Sequence, residues 1–390
     1  MSRPRRKTAL VLSGGGAYGA YEVGVLKALL CGHSPTTNFE PLVPEIVTGT
    51  SVGAYNASFL VSRLAAGGAR AAAELERVWR ERIAGGPGTC GNGVFRIRLD
   101  PVEYARPACY VPDPLHPLKT TAQDAVYFAS QLLARTASAL RSSGPLLARA
   151  ALEVDFSAAL DTQPYDTLIR ETIDFDAVRR SPIALRIFAT AWTTGLPRRF
   201  DNETGTLTAE AVQASASIPG VFPPTVAGGE PCVDGGLSIN TPLAPAIAAG
   251  AEVVHVVFLD PKVSDIPMRL PLSTLAEMYR ILAILFANET RAQLVRIDQV
   301  NRALRLLARS GAEDRADVLR LLDPTGPHRP VEVHVYRPAP DILQGLLGFL
   351  DFERAYVEKL IQAGYEDAAG RAPEPATSES VPLDSSFLRA

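Results

Sequence analysis

Gly49-Thr50-Ser51-Val52-Gly53 is the stretch whose reading decides the fold. The residues leading into it, Glu45-Ile46-Val47-Thr48-Gly49, are rich in β-branched side chains and predict a short buried strand. Those after it, from Val52 to about Leu64, carry apolar side chains at near-helical spacing. A serine in so tight a strand-to-helix turn adopts strained dihedrals, and glycine two residues away on either side leaves room for the turn to close. Its hydroxyl is then expected to project into solvent at the helix N-terminus, where the helix dipole favours the charge that develops as it attacks an ester. The competing reading is a glycine-punctuated turn with a capping serine, because Gly-x-Ser-x-Gly also arises by chance.

Upstream, Thr8 to Leu12 reads as a first strand that runs into Ser13-Gly14-Gly15-Gly16-Ala17-Tyr18-Gly19. A helix from about Ala17 to Cys31 follows, with Tyr21, Val25, Leu26, Leu29 and Leu30 on its buried side. Gly14-x-Gly16-x-x-Gly19 formally matches a dinucleotide fingerprint. The next strand, however, ends in Gly49-Thr50-Ser51 rather than near an acidic residue for a ribose, and no Lys-Ser or Lys-Thr follows the glycines to make a P-loop. A nest of backbone N–H groups beside the tip of the serine-bearing strand is the better reading.

Downstream, Ala65 to Asp161 is less regular and reads as an insertion over one end of the sheet. It contains a break at Gly85 to Gly93, a proline-spaced loop from Pro101 to Pro117 and a helical stretch from Asp124 to about Val154. The apolar residues Val126, Phe128, Leu132, Leu133, Leu140, Leu146 and Leu147 are expected to pack down, with a lipid entrance as the alternative. Tyr165 to Arg170 suggests a short helix, and Ile183 to Ala191 a strand. Ala214-Ser215-Ala216-Ser217-Ile218-Pro219-Gly220-Val221-Phe222-Pro223-Pro224 is an ordered loop that proline keeps from being a helix. In Cys232-Val233-Asp234-Gly235-Gly236 the aspartate ends a short strand, although Asp-Gly-Gly alone is an ordinary turn.

The 390-residue chain is 47% hydrophobic, enough for a large core, and its net charge of −3 without a basic block argues against nucleic acid. Cys31, Cys90, Cys109 and Cys232 show neither metal-ligand spacing nor a disulfide framework and fit a reducing compartment. Residues 1–6 form a basic arm, and the apolar run after it is too short for an export signal, so a cytoplasmic protein is expected, with peripheral contact at a membrane as the alternative. Leu272 to about Leu307 reads as one or two long helices. Within them Ile281-Leu282-Ala283-Ile284-Leu285-Phe286, apolar on all sides, is expected to be buried, with membrane contact as the alternative. Val331 to Tyr336 predicts a last strand, Phe349 to Ala363 a closing helix, and residues 370–390 a disordered tail.

The glycine run after strand one, Gly-x-Ser-x-Gly after the next, Ala-Ser-x-Ser-Ile-Pro-x-x-Phe-Pro-Pro and Asp-Gly-Gly occur in the order seen in patatin-like phospholipases. Asn240-Thr241-Pro242-Leu243 and the strand Val253 to Leu259 are similar to that family's continuation, so the resemblance covers roughly residues 7 to 260 well. It implies an α/β domain over residues 7–369, three layers thick, with a mostly parallel sheet between helices and helical insertions. It also implies Ser51 as nucleophile of a Ser-Asp dyad with Asp234, Gly14, Gly15 and Gly16 as the oxyanion hole, and a phospholipid, lysophospholipid or similar lipid ester as substrate. Many members have Arg or Lys where this chain has Tyr18, which bears on transition-state stabilisation or head-group preference.

The chemistry sets its own demand. An aspartate near its reference pKa of about 3.9 is a weaker base than a histidine near about 6.5, a gap of roughly 3.5 kcal/mol. A Ser-Asp site must therefore desolvate its carboxylate or bind the oxyanion strongly. It needs no cofactor and no metal, calcium included, since no cation is required to polarise the carbonyl. Two rivals stand beside it. One is a Ser-His-Asp esterase in the chain order Ser51, Asp260, His334, with His328 as the other candidate base. The other is a lipid-binding scaffold without turnover, for which Tyr18 is the hint.

Overall fold

The computed structural model describes residues 6–86, 88–101, 105–141, 143, 145, 159–260, 274–310, 318, 329–343, 345–370 and 374–375. Its principal strands are β1 (Thr8–Leu12), β2 (Ile46–Thr50), β3 (Ala184–Ala191), β4 (Pro197–Asp201), β5 (Thr225–Ala227), β6 (Glu230–Asp234), β7 (Val253–Val257) and β8 (Glu332–Tyr336). The principal helices are α1 (Gly19–Leu30), α2 (Val52–Arg63), α3 (Gly68–Val78), α4 (His116–Arg141), α5 (Gln163–Thr172), α6 (Thr274–Ser310) and α7 (Arg354–Gly370).

Alternation along the strands divides the core into two. Leu10 and Leu12 face one way and pack with Val47, Ile187 and the apolar sides of α1 and α2. Ala9 and Val11 face the other way and pack with Val254, Val256, Leu243 and Leu294. Helices thus cover both faces of a mixed sheet, an α/β fold in three layers as the resemblance implies. The strands run β8-β7-β1-β2-β3-β6-β5, the first five parallel. β5 and β6 are antiparallel to their neighbours, as are β4 on β3 and the pair Glu374–Pro375 on β8. The rest of the tail from residue 376 lies outside the described residues.

One edge of β3 builds the site. β4 occupies one side of β3 from Arg186 to Thr190, so β2 and β6 must share the other. β2 pairs with its first half, ending at Thr50 opposite Phe188, and β6 takes over one residue later, with Asp234 opposite Ala189. Two strand tips distant in sequence therefore meet end to end. On the far side of α1, α7 crosses closely enough that a Cβ on Gly24 would lie 2.0 Å from the Ile361 carbonyl oxygen, and one on Gly364 2.0 Å from that of Tyr21.

Three expectations are corrected. The insertion's helix starts earlier than expected, at His116, and its residues Val126, Leu132 and Leu133 are exposed instead of packed down; Leu146 and Leu147 lie outside the described residues. A buried ionic cluster tethers it: Arg96 grips Asp124 with two hydrogen bonds of 2.7 and 2.8 Å and Asp161 with one of 2.9 Å. Burial would raise the Asp124 carboxyl, but hydrogen bonds from Arg96, the Leu99 amide and Arg98 outweigh it and hold it well below the usual carboxylate range. Cys90 and Cys109 form a disulfide, which the spacing did not suggest because the fold, not the sequence interval, brings the two loops together. Finally, the apolar run on α6 is not buried: Ile281, Ile284 and Leu285 are exposed, and only Ala283 is enclosed. Among the described residues no helix is long and apolar enough to cross a membrane.

Candidate active site

Ser51 stands between β2 and α2 with φ 55° and ψ −125°, a conformation that costs a β-carbon-bearing residue about 1–3 kcal/mol. The flanking glycines permit it. A Cβ on Gly49 would lie 2.3 Å from the Gly53 carbonyl oxygen, and one on Gly53 would lie 2.4 Å from that of Leu12. The capping reading is not met, because the serine makes no side-chain cap. Its hydroxyl instead donates to Asp234 Oδ2 at 2.7 Å. Ser51 is also not in open solvent as expected but buried, at 4% exposure.

Asp234 is held from several directions. Its Oδ1 accepts the Gly236 amide at 2.7 Å, its own amide donates to the Ser217 carbonyl, and its carbonyl accepts Thr190 Oγ1 at 2.9 Å. The glycine after it lets the chain turn over β3: a Cβ on Gly235 would lie 2.2 Å from the Phe188 carbonyl oxygen. Burial pushes the Asp234 carboxyl up to about 7, against the lowering effect of the Ser51 and Gly236 hydrogen bonds. Desolvation thus raises the proton affinity of this carboxyl in the direction a Ser-Asp site would demand.

The glycine loop divides its labour. Gly14 donates its amide to the Asn240 carbonyl at 3.1 Å, so it is not available to an oxyanion, contrary to expectation. The amides of Gly15 and Gly16 have no acceptor among the described residues, and both residues line the cleft with Ser51. The Ser51 amide is likewise committed, to Ser215 Oγ at 2.8 Å, and Ser215 in turn donates to the Phe188 carbonyl. Asn240 is fixed by Asp260, which accepts its Nδ2 at 2.7 Å, and by Glu289, which accepts its amide at 3.0 Å. Burial raises Asp260 to about 6 and Glu289 to about 7.

The histidine alternative finds no support in this geometry. His328 lies outside the described residues. His334 stacks on His255 at 4.7 Å and is paired at the level of Leu10. Three strand intervals separate β8 from β2, or about 14 Å. Burial also lowers the proton affinity of His334. Asp260 accepts hydrogen bonds from Asn240 and Thr290 rather than orienting an imidazole.

Two cavities meet at Ser51. A cleft of about 660 Å³, open to solvent, is walled by Leu237, Asn240, Leu259 and Asp260, with Leu282 and Phe286 of α6 opposite and Tyr18 also in its lining. A second, narrower cavity shares Gly16, Ser51, Ile218 and Phe349 with it and is lined by Tyr55, Trp79, Tyr165 and Phe222. Sequence reasoning named Ser51 and Asp234, which the structure brings together. It missed the parts played by Asn240 and Ser215, although both stand in quoted motifs, and it missed Glu289, which no local pattern marks.

The site thus sets an elbow serine bonded to a carboxylate beside a glycine loop in a three-layer α/β fold. The model of the patatin-like phospholipase family matches residues 10–247, and the chain belongs to that family. Among solved structures, VipD from Legionella pneumophila is similar over 93% of this chain and 67% of its own, with 14% identity and a TM-score of 0.32. A comparison with curated proteins finds no match. The family carries lipid acyl hydrolase chemistry in general.

Proposed function

We propose that this protein hydrolyses ester-linked acyl chains of phospholipids or lysophospholipids through a Ser51–Asp234 dyad. The observation that carries the reading is the 2.7 Å hydrogen bond from the strained serine to a buried carboxylate. In the first half-reaction Asp234 takes the hydroxyl proton as Ser51 Oγ bonds to the ester carbonyl carbon. The amides of Gly15 and Gly16 hold the oxyanion, and the leaving alcohol receives the proton from Asp234 as its C–O bond breaks. Water then attacks the acyl-enzyme with Asp234 as base again, releasing the fatty acid and restoring Ser51.

The apolar second cavity suits the acyl chain, and the open cleft, which contains Asn240 and Asp260, suits the alcohol part. Ile281, Ile284 and Leu285, exposed on the turns of α6 that wall the cleft, are placed to contact a lipid surface. A fluorophosphonate probe tests the nucleophile: one label per chain is expected, lost in Ser51→Ala. A phospholipid and lysophospholipid panel with the same pair of proteins tests the reaction. Labelling that survives the substitution overturns the dyad, and labelling without any lipid turnover favours the scaffold reading.

A further inference from the structure

The hairpin between β3 and β4 turns through Trp192-Thr193-Thr194-Gly195-Leu196-Pro197, a run without a charged side chain. Its backbone is well tied: Ala191 donates its amide to the Leu196 carbonyl at 2.9 Å, and Gly195, at a φ of 71°, donates back to the Ala191 carbonyl at 2.8 Å. Its large side chains nevertheless stand in solvent, Trp192 at 54% and Leu196 at 64% exposure. Trp192 donates its amide to the Pro231 carbonyl, and Pro231 is paired with Val226, so the tryptophan and this exposed valine share one face of the sheet. Single exposed apolar side chains are ordinary, but a group of them at one place marks a contact surface. The place is the end of the sheet where Ser51 stands. β3 runs parallel to β2 with Phe188 opposite Thr50, so the tip lies about 13 Å beyond that level. Thr190 Oγ1 contacts Ser238 Oγ at 2.8 Å, and the adjacent Leu237, also exposed, lines the open cleft. Behind the tip come Arg198 and Arg199, paired in register with Ala189 and Phe188. Arg198 lies 3.5 Å from Glu230 and Arg199 2.9 Å from Asp201, yet the arginine is the more exposed member of each pair, at 50% against 2% in the second. The hairpin thus presents an uncharged apolar tip with a collar of guanidinium groups.

We propose that this hairpin anchors the protein to an anionic lipid surface, with Trp192 and Leu196 entering the layer below the head groups and Arg198 and Arg199 meeting the phosphates. The inference deepens the lipid-ester reading and rests on it for the choice of occupant, because a cleft that draws its substrate from a bilayer has to open toward one. Tryptophan suits that boundary, its ring apolar and its indole N–H able to reach a carbonyl or water. Guanidinium groups suit the phosphates, which they can grip with two hydrogen bonds. Ile281, Ile284 and Leu285 of α6 offer a second contact. Hairpin and helix together fix an orientation on the surface that neither fixes alone.

The chain holds two tryptophans, and Trp79 is fully buried, so a change in emission on meeting lipid reports Trp192. The test titrates the Ser51→Ala protein with vesicles of equimolar phosphatidylglycerol and phosphatidylcholine. Emission is expected to shift to the blue and to be quenched by lipids brominated along their acyl chains. Trp192→Ser and Leu196→Ser should each weaken sedimentation with these vesicles by about tenfold or more at an unchanged melting temperature. Arg198→Gln combined with Arg199→Gln should remove the preference over pure phosphatidylcholine vesicles. Emission that vesicles neither shift nor quench overturns the proposal, as does sedimentation that survives both serine substitutions or an anionic preference that survives loss of the arginines. A blue shift that grows with protein concentration in the absence of lipid also overturns it, since a second copy of the chain then covers the tip. None of these measurements uses turnover. An anchor found in a protein that hydrolyses no lipid leaves this proposal standing and rejects the dyad reading, and hydrolysis of vesicle phospholipid by a protein whose Trp192 is never quenched does the reverse.

Discussion

At the scale of single residues, the burial that raises the Asp234 carboxyl would, on the proposed dyad, tie activity and stability to pH in opposite senses. The dyad needs the carboxylate form, so kcat/KM is expected to rise with pH through about 7, the value to which burial pushes this group. Between its unfolded pKa near 3.9 and about 7 the folded state holds a proton that the unfolded state has lost, so stability falls as pH rises through that window. Asp234→Asn removes both effects. It should lower turnover by several orders of magnitude, leave stability near wild type at pH 4, and raise it at pH 8 by up to about 4 kcal/mol. Chemical denaturation of both proteins at the two pH values measures this, and comparison with the variant removes the parallel titration of Asp260 and Glu289. His334→Ala should keep most of the activity. Asn240→Ala keeps the backbone carbonyl that accepts the Gly14 amide but removes the side-chain hydrogen bonds to the Gly14 carbonyl, at 3.5 Å, and to Asp260, at 2.7 Å; turnover is expected to drop by up to about a hundredfold with a smaller change in KM. Ser51 was legible because its backbone demand writes glycine into the sequence at fixed spacing. Asp234 was legible only through the order of several motifs, since Asp-Gly-Gly alone is an ordinary turn.

At the scale of elements, periodicity located β1, β2, α1 and α2 but not the partner of each face. The run 281–286 is apolar on every side, and composition alone reads it as core. The structure instead sets one side against the cleft and leaves Ile281, Ile284 and Leu285 exposed, because α6 lies at the edge of the site. Ile284→Asp should therefore shift the melting temperature little while weakening sedimentation with anionic vesicles; a large loss of stability would return the segment to the core. The α1–α7 crossing is the opposite case, close contact hidden in two ordinary glycines. Gly24→Ala forces a methyl to within 2.0 Å of the Ile361 carbonyl oxygen, so α7 must move or the helices separate. A loss of about 1–3 kcal/mol, seen as a lower melting temperature, is expected.

At the scale of the whole molecule, the parallel strands and their covering helices follow from hydrophobic alternation, while the antiparallel strand carrying Asp234 takes its place only because β4 has closed the other edge of β3. That dependence can be followed in time. Ser51 and Asp234 are 183 residues apart in sequence, and contacts of such separation form late. On refolding from denaturant, fluorophosphonate labelling should recover with the slow phase that completes the sheet, after the helical signal has returned. Labelling that recovers with the first helical signal would contradict this order.

The end-to-end meeting of β2 and β6 along β3 also bears on how a cell makes this protein. While the chain is still being synthesised, Ser51 emerges long before residue 234 leaves the ribosome, so the serine then lacks its carboxylate partner, and the loop behind it lacks the Asn240 carbonyl that holds the Gly14 amide. A growing or prematurely terminated chain would therefore lack the complete Ser51–Asp234 pair. On the proposed dyad, the order of the strands withholds its second half until the sheet is nearly whole.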